Sequence, residues 1–427
     1  MTDRRTPAVT VLATALAAAG TLIPAPVAEA QPAPIVATTK LSVPGLEDGS
    51  RFGTSVAIWG AVAVVGAPFD DYDGKTDAGA AYVFRRSGAT WVQEAMLTGV
   101  DTASGDQFGA SVDVFSGGIG THLVIGAPFD DNPGGTDAGA AYVFTRVGTT
   151  WTQSRKVTIA HNRGGNDRFG SSVTIARSDA LIGVPLDDTT GAGGLSQSGS
   201  VTAFYRPEDW GFRSSLTAGG SAGDFEFFGS AVEMSALTAV VGAPEDDQRG
   251  SVHVFVRPDD PASPWTPQAR LTSPLGGGKS FGTSVAVFGD FLVVGEPVGS
   301  SNFFCGNLSI VYFFARAGVT WTAEGSLDCA PANAAAFGQS VAIDTASGSP
   351  TALVGAPDTN QRTGEAYVYR RIGSDFGLHE TIRAVDASAT DKFGYDVDLS
   401  GGTAVIGAPE DNVAGTDDGS AYVVSVP

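Results

Sequence analysis

The sequence predicts an all-β fold: a seven-bladed β-propeller of four-stranded antiparallel blades. A Phe-Gly pair occurs seven times at intervals of 53 to 61 residues, and a Gly-Ala-Pro triplet or a close variant follows each pair. No useful helical periodicity appears after residue 30, and 57 glycines punctuate the chain. Regular repetition at this length is typical of propellers in which each repeat forms one blade. The pairs are Phe52-Gly53, Phe108-Gly109, Phe169-Gly170, Phe228-Gly229, Phe281-Gly282, Phe337-Gly338 and Phe393-Gly394.

Four strands are predicted in each repeat, and the first repeat shows their character. Strand one, residues 55–58, consists of small β-formers that suit the narrow centre of a blade. Strand two, residues 62–65, is continuously apolar, which favours burial on both faces. Strand three covers residues 80–84, and strand four, residues 91–97, alternates polar and apolar side chains. Such alternation predicts one solvated face and therefore the outer position.

The two ends of the repeat array predict how the ring closes. The last repeat stops after its third strand, at residues 421–424, while a spare fourth strand stands at residues 35–43. We therefore expect the N-terminal strand to complete the seventh blade. This pairing would leave no unpaired sheet edge at the junction.

Residues 1–30 resemble a secretory signal peptide. Arg4 and Arg5 precede an apolar run over residues 9–23, and Ala28-Glu29-Ala30 is a small-residue cleavage site. The alternative, a membrane anchor, is disfavoured because the run is too short and no second apolar span follows. We predict an exported protein, secreted or in the cell envelope. Its single propeller domain would cover residues 31–427, with no membrane span in the mature chain.

The chain carries 46 acidic and 25 basic residues, a formal net charge of −21. This charge argues against nucleic acid and anionic membranes as partners, and it permits divalent cations or cationic partners. Cys305 and Cys329 are the two cysteines. In an exported protein a disulfide between them is expected, and two separate buried thiols are the alternative.

Strand direction sorts the loops onto two faces. We call the upper face the one at which strand one of each blade begins; it carries the loops between strands two and three and between strands four and one. These loops are acidic, whereas the lower-face turns carry arginines. Calcium takes six to eight oxygen ligands on flexible loops, often with a glycine at the bend. We predict calcium ligands at Asp71, Asp73, Asp77, Asp131, Asp137, Asp411 and Asp417. The alternative is that these acids form Asx turns.

A catalytic site finds little support in the sequence. The four histidines are scattered, and no nucleophile, zinc or phosphate-binding motif is present. Carboxylate pairs for glycoside cleavage remain open among so many acids. No catalytic residue and no organic cofactor is predicted.

The seven Phe-Gly and Gly-Ala-Pro units resemble the FG-GAP repeats of the integrin alpha-chain propeller. Ser-Val-Ala-Ile after Phe-Gly, with Gly-Ala-Ala-Tyr-Val-Phe and Trp-x-Gln, is similar to FG-GAP repeat proteins exported by bacteria. The resemblance covers residues 34–427. It implies a propeller that binds protein ligands on its upper face and takes calcium in some blades. Asp71, Asp73, Gly74 and Asp77 match the last four defined positions of the integrin calcium motif, but here the loop follows Gly-Ala-Pro.

Together these observations predict a secreted, non-catalytic binding or adhesion module for an extracellular protein or glycan, assisted by calcium. Two alternatives stay open. One is an exported hydrolase or lyase on the same scaffold, and the other is a structural component of the cell envelope.

Overall fold

The computed structural model describes residues 34–118, 120–159, 165–188, 197–206, 209–219, 225–259, 263–276, 280–297, 309–329, 331, 334–345, 348–413 and 415–427. Residues 33–427 form one compact unit. The predicted signal peptide and Cys305, and with Cys305 the predicted disulfide, lie outside the described residues. Both therefore stay predictions.

The described residues form seven antiparallel blades arranged in a ring, which confirms the predicted propeller. The innermost strands contact one another in a closed cycle, from blade one through blade seven and back to blade one. Helix is confined to a single α-helical turn, Thr359–Arg362, and a 3-10 turn, Asp246–Gln248, among the described elements.

The strands are numbered in chain order, and within each blade they run from the ring axis outward. Blades one to three are β3 Ser55–Trp59, β4 Val62–Ala67, β5 Ala80–Ser87 and β6 Thr90–Leu97; β7 Ser111–Gly117, β8 Gly120–Ala127, β9 Ala140–Val147 and β10 Thr150–Val157; β11 Val173–Ala176, β12 Asp179–Val184, β13 Ser200–Tyr205 and β14 Gly211–Leu216.

Blades four to seven follow the same order. They are β15 Ala231–Ser235, β16 Thr238–Ala243, β17 Ser251–Val256 and β18 Thr266–Thr272; β19 Ser284–Phe288, β20 Phe291–Glu296, β21 Ile310–Ala317 and β22 Thr320–Cys329; β23 Val341–Asp344, β24 Thr351–Ala356, β25 Glu365–Ile372 and β26 Asp375–Ala384; β27 Val397–Ser400, β28 Thr403–Ala408 and β29 Ser420–Ser425. Two N-terminal strands, β1 Ile35–Ala37 and β2 Thr39–Leu41, join the last two blades.

The N-terminal strand closes the ring, as predicted. β2 runs antiparallel to β29, with Lys40 opposite Tyr422 and Leu41 opposite Ala421. The predicted single strand is nevertheless split in two, because β1 pairs in parallel with β26 of blade six. Ala37 is fully buried and Ile35 packs against a core that blades six and seven share. The N-terminal segment therefore completes blade seven and also joins it to blade six.

The repeated glycines lie where neighbouring blades touch. Gly53 has a φ of +100°, and a Cβ there would lie 2.2 Å from the backbone oxygen of Ser420 in blade seven. A Cβ on Gly66 of the Gly-Ala-Pro triplet would lie 2.0 Å from the oxygen of Gly109 in blade two. Only glycine permits such backbone contact. Phe52, fully buried, packs edge-on against Tyr82 at 5.6 Å, so the repeat motif forms the blade joint.

Candidate ligand channel and upper rim

The seven innermost strands surround a cavity of about 810 Å³ on the ring axis, which we call the channel. Every blade contributes residues to its lining. Side chains alternate along a strand, so every second residue of an innermost strand points inward. In most blades the inward positions hold serine or alanine, which keeps the channel open.

Five carboxylates interrupt this small, neutral lining, and sequence reasoning missed all of them. They are Asp113, Glu233, Asp344, Asp396 and Asp398. A signal for them exists in the sequence. In the first repeat strand one reads Ser-Val-Ala-Ile, whereas in the second repeat an acid replaces the alanine at position 113. An acid at an inward position of the innermost strand must face the axis.

Four of these carboxylates link one blade to the next. The innermost strand of a blade has one edge without a strand partner, and its N–H groups need acceptors. Asp396 Oδ2 accepts the N–H of Val56 at 2.7 Å, and Asp398 Oδ2 accepts that of Ile58 at 2.6 Å. The junction of blade seven with blade one therefore carries two such bonds. Asp113 accepts the N–H of Ile175 in blade three at 2.6 Å, and Asp344 accepts that of Gly401 in blade seven at 2.6 Å.

Burial raises the pKa values of four channel carboxylates, Asp113, Glu233, Asp396 and Asp398. It raises the pKa of Asp113 to about 7, against the hydrogen bond from Ile175 and with support from the charge of Asp398. It raises the pKa of Asp396 and of Asp398 to about 6. Burial also raises the pKa of Glu233 well above its ordinary value, and the charges of Asp113 and Asp398 add to this effect. These acids thus interact across the axis.

Aromatic side chains line the lower mouth of the channel. Trp59 and Phe115 end the innermost strands of blades one and two, and their rings lie 4.8 Å apart at a tilt of 54°. Phe288 occupies the equivalent position in blade five. Trp59 remains 39% and Phe288 36% exposed. The lower mouth therefore combines accessible aromatic surface with a polar interior.

The predicted calcium loops on the upper face share a turn built by their acids. Asp71 Oδ1 accepts the N–H of Asp77 at 2.8 Å, and Asp131 Oδ1 accepts that of Asp137 at 2.9 Å. In blade seven Asn412 takes the same place and accepts the N–H of Asp417 at 2.9 Å. Within the ranges that the structure describes, no group of three or more His, Cys, Asp or Glu side chains is placed to hold a metal ion.

The backbone gives a reason for aspartate at the ends of these loops. Asp73, Asp77, Asp137 and Asp417 all have a φ between 51° and 55°. Aspartate tolerates this left-handed conformation better than most residues. The carbonyl of Asp77 then accepts the N–H of Gln107, next to the Phe-Gly pair of blade two. Some acidic residues of the upper face therefore have a structural role, because they hold the backbone conformation at the blade joints.

Asp411 has a different environment from the other predicted ligands, because it lies in a buried cluster. Its Oδ2 accepts hydrogen bonds from Ser420 at 2.6 Å and Tyr422 at 2.9 Å, and Lys40 lies 2.7 Å away. Lys40 also bonds Asp386 at 2.7 Å. Burial opposes the charge of Lys40, but its two acidic partners outweigh burial and raise its pKa.

Blade two repeats this arrangement, which we call the rim anchor. Asp130 accepts hydrogen bonds from Tyr142 and Lys156, both at 2.8 Å. Lys156 and Tyr142 also bond Asp101, at 2.7 and 3.0 Å. Blade one has the tyrosine and the acid, since Tyr82 donates to Asp70 at 2.5 Å, but the residue opposite Tyr82 is Met96.

A family model described as FG-GAP repeat matches five segments, residues 36–84, 91–144, 151–204, 210–255 and 376–424. Together they span more than half of the chain. The protein belongs to the FG-GAP repeat family. The stretch between the fourth and fifth segments contains blade five and most of blade six. The backbone oxygens of its Gly282 and Gly338 would lie 2.0 and 2.1 Å from a Cβ on Gly242 and Gly295, as Gly109 lies against Gly66. A search of curated proteins finds no match.

FG-GAP repeats are typical of extracellular and envelope proteins, and FG-GAP propellers commonly bind proteins. Among the described residues of this FG-GAP propeller, no helix has the length and apolar character needed to cross a membrane. The family therefore supports a binding scaffold, and it leaves the ligand to be inferred from the sites above.

Blade four of the FG-GAP propeller contains serine, histidine and aspartate together. Ser251 Oγ lies 3.0 Å from His253 Nε2 and donates to Asp246, which Arg270 also contacts at 2.8 Å. His253 takes the place of the rim-anchor tyrosine, and Ser251 and Asp246 are fully buried. A substrate cannot reach this serine, so the cluster is a variant of the rim anchor.

The arginines predicted on the lower face are largely paired. Arg146 of blade two bonds Glu94 of blade one at 2.5 Å, and Arg371 of blade six bonds Glu324 of blade five at 2.6 Å. Arg316 bonds Asp290 within blade five at 2.8 Å. The first two contacts join neighbouring blades. The lower-face arginines are therefore mostly neutralised by acids.

Proposed function

We propose that this FG-GAP propeller is an exported, non-catalytic binding and adhesion module that recognises an extracellular protein or glycan at the lower mouth of the channel. The observation that carries the proposal is the accessible aromatic rim formed by Trp59, Phe115 and Phe288 around a concave opening. Membership of a family whose propellers commonly bind proteins supports it.

The rim has the properties of a recognition surface. Trp59 is held against Phe115, so it offers a large flat surface with little conformational freedom left to lose on binding. Aromatic side chains in a concave setting dominate many binding interfaces. Asp344 and Ser400 occupy the equivalent strand positions in blades six and seven and supply hydrogen-bonding groups beside the aromatic surface. Stacking on sugar rings and packing against protein side chains both use this combination.

An array of glycans and extracellular matrix proteins tests the proposal directly. We expect the full chain to bind at least one class of ligand, and Trp59→Ala and Phe288→Ala to reduce that binding at least tenfold. Phe212→Ala is the matched control, because Phe212 is a half-exposed aromatic residue on the outer strand β14 and lies outside the channel. A uniformly blank array, or equal losses in all three variants, overturns the proposal.

Calcium is proposed to assist this recognition from the upper face. The loop with Asp71, Asp73 and Asp77 offers three carboxylates, and Asp131 with Asp137 marks the related loop of blade two. In blade seven the proposal keeps Asp417, because Lys40, Ser420 and Tyr422 already occupy Asp411. An ion that binds only the folded state raises the melting temperature. After stripping with chelator, millimolar calcium should raise the melting temperature of the native protein, and Asp73→Asn should reduce the shift. An unchanged melting temperature removes calcium from the proposal.

One alternative has an observation in its favour. The channel carboxylates Asp113 and Glu233 have raised pKa values and face Asp398, as acid and base groups of a glycoside hydrolase would. Hydrolysis of a glycan that the array identifies, abolished by Glu233→Gln, would favour this exported hydrolase over the binding module.

A further inference from the structure

We propose that the interior of the channel binds a linear organic polycation, an alkyl polyamine, whose ammonium groups sit on Asp113, Glu233, Asp396 and Asp398. This site goes beyond the proposed recognition of a protein or glycan. It lies inside the ring, whereas the aromatic rim lies at the lower mouth.

The charge of the channel favours a cation. Five carboxylates line it, and the one cationic side chain among its described lining residues is Arg177 at the lower rim. Arg177 is itself paired with Asp259 at 3.2 Å. The other titratable lining group is Tyr395 at the upper mouth. A cleft lined by one sign of charge with low-dielectric walls concentrates counter-ions.

A second observation is a buried hydroxyl group without a hydrogen bond of normal geometry. Thr174 lies on β11 at the level of Asp113 and Glu233, and its side chain is fully buried. Its hydroxyl lies against both carboxyl groups, yet Oγ1 has no hydrogen bond of normal geometry. Buried polar atoms are nearly always satisfied. An ammonium group has three donors, enough for Asp113, Glu233 and Thr174 together.

The carboxylates are spread along the axis, which favours a chain over a single ion. Asp398 lies on β27 and Asp396 directly precedes this strand, and successive inward side chains are roughly 6.6 Å apart along an extended strand. Asp113 and Glu233 share the level of Asp398, and Asp344 lies one level lower. This spacing is comparable to the separation of neighbouring ammonium groups in spermidine. A single metal ion would need its ligands at one point, and no such group occurs among the described residues.

Proton linkage gives this site a signature that a surface interaction lacks. Burial keeps the pKa of Asp113 at about 7 and that of Asp398 at about 6, so these groups are partly protonated near neutral pH. A bound cation favours their charged forms and releases protons. Affinity for a polyamine should therefore rise as pH increases from 5.5 to 8, although the charge of the ligand falls slightly over this range.

Titration calorimetry of the full chain with spermine and spermidine tests the proposal. We expect saturable binding that strengthens at least tenfold between pH 5.5 and pH 8, with proton release detected as a dependence on buffer ionisation enthalpy. Glu233→Gln should weaken binding at least tenfold at pH 7.5. Asp375→Asn, at an exposed acid on the lower face, should leave the affinity unchanged.

Equal effects of the two substitutions, or an affinity that is independent of pH, would show general attraction to an acidic surface and overturn the proposal. The proton-release measurement uses the native protein, so it tests the polyamine site even where Glu233→Gln lowers the folding yield. Trp59→Ala should retain spermine binding and lose the array ligand. Failure of the polyamine site is thereby distinguished from failure of the proposed function.

Discussion

Buried carboxylates occur in two regions of this propeller, and their partners differ. At the upper rim, Asp130 and Asp411 each contact a lysine and a tyrosine hydroxyl within 2.9 Å. In the channel, Asp113 and Asp398 accept backbone N–H groups and face other acids. The rim thus neutralises its buried charge internally. In the channel, protons or a ligand must neutralise the charge of the carboxylates.

This difference separates structural from functional acids in a chain that is rich in both. A fully paired, buried charge has no capacity left for a ligand and fixes the positions of its partners. A carboxylate with a raised pKa and an accessible cavity before it can still exchange a proton for a cation. The overall charge of −21 conceals this distinction, because it counts both kinds of acid alike.

The largest expected effect comes from removing a rim anchor. Asp130→Ala removes the buried acceptor of Lys156 and Tyr142, in a site where the Asp130 side chain is 1% exposed, and leaves them only the half-exposed Asp101. Breaking such a buried pair typically costs about 3–5 kcal/mol of unfolding free energy. Urea denaturation at pH 7 measures the change. Asp131→Ala, at the exposed neighbour, should cost about 1 kcal/mol by losing its turn bond to Asp137. Equal costs for the two variants would mean that Asp130 is not an anchor.

The channel acids predict an intermediate effect that depends on pH. The folded-state pKa values of Asp113, about 7, and of Asp396 and Asp398, about 6, lie above the ordinary value of 3.8. Groups shifted upward contribute stability that is fully present below the unfolded pKa and is lost as pH rises through the folded pKa. We therefore expect the melting temperature to fall between pH 5 and pH 8.

The control for this prediction is a variant that lacks two of the ionisable groups in the channel. Asp113→Asn with Glu233→Gln should flatten the fall in melting temperature, since two of the titrating groups are gone. An exposed acid such as Asp375, replaced by Asn, should leave the slope as it is in the native protein. A native melting temperature that rises from pH 5 to pH 8 would contradict the assigned pKa directions.

The sequence allowed the ring, its closure and the blade joints to be predicted, because each depends on a repeated local requirement. Gly53 and Gly66 recur since a Cβ would collide with the next blade, and Lys40 lies in the strand that completes blade seven. The division of the N-terminal strand could not be predicted, because pairing of Ile35 with Ile382 depends on the neighbouring blade.

The roles of the acids were harder to predict. Asp130 and Asp131 are adjacent and look alike in sequence, yet one is buried against Tyr142 and the other is exposed at the loop surface. Only the three-dimensional position of the tyrosine distinguishes them. Asp113 was visible as a break in the apolar pattern of an innermost strand, whereas its interaction with Glu233 requires two blades to face each other across the axis.

The smallest effect is expected from a substitution that gives blade one a complete rim anchor. Met96 lies opposite Tyr82, as Lys156 lies opposite Tyr142 and Lys40 opposite Tyr422. Met96 is 40% exposed, so its replacement by lysine removes little packing.

Met96→Lys should place an ammonium group near Asp70, whose pKa is raised by burial against the hydrogen bonds from Tyr82 and Ser50. The new partner should stabilise the fold by about 1 kcal/mol at pH 7. Because the gain needs an ionised Asp70, it should shrink as pH falls toward the ordinary value of 3.8 for this group. Urea denaturation at pH 4 and pH 7 measures both quantities. Met96→Gln is the uncharged control of similar size, and an equal gain from glutamine would show that the lysine acts through packing rather than through charge.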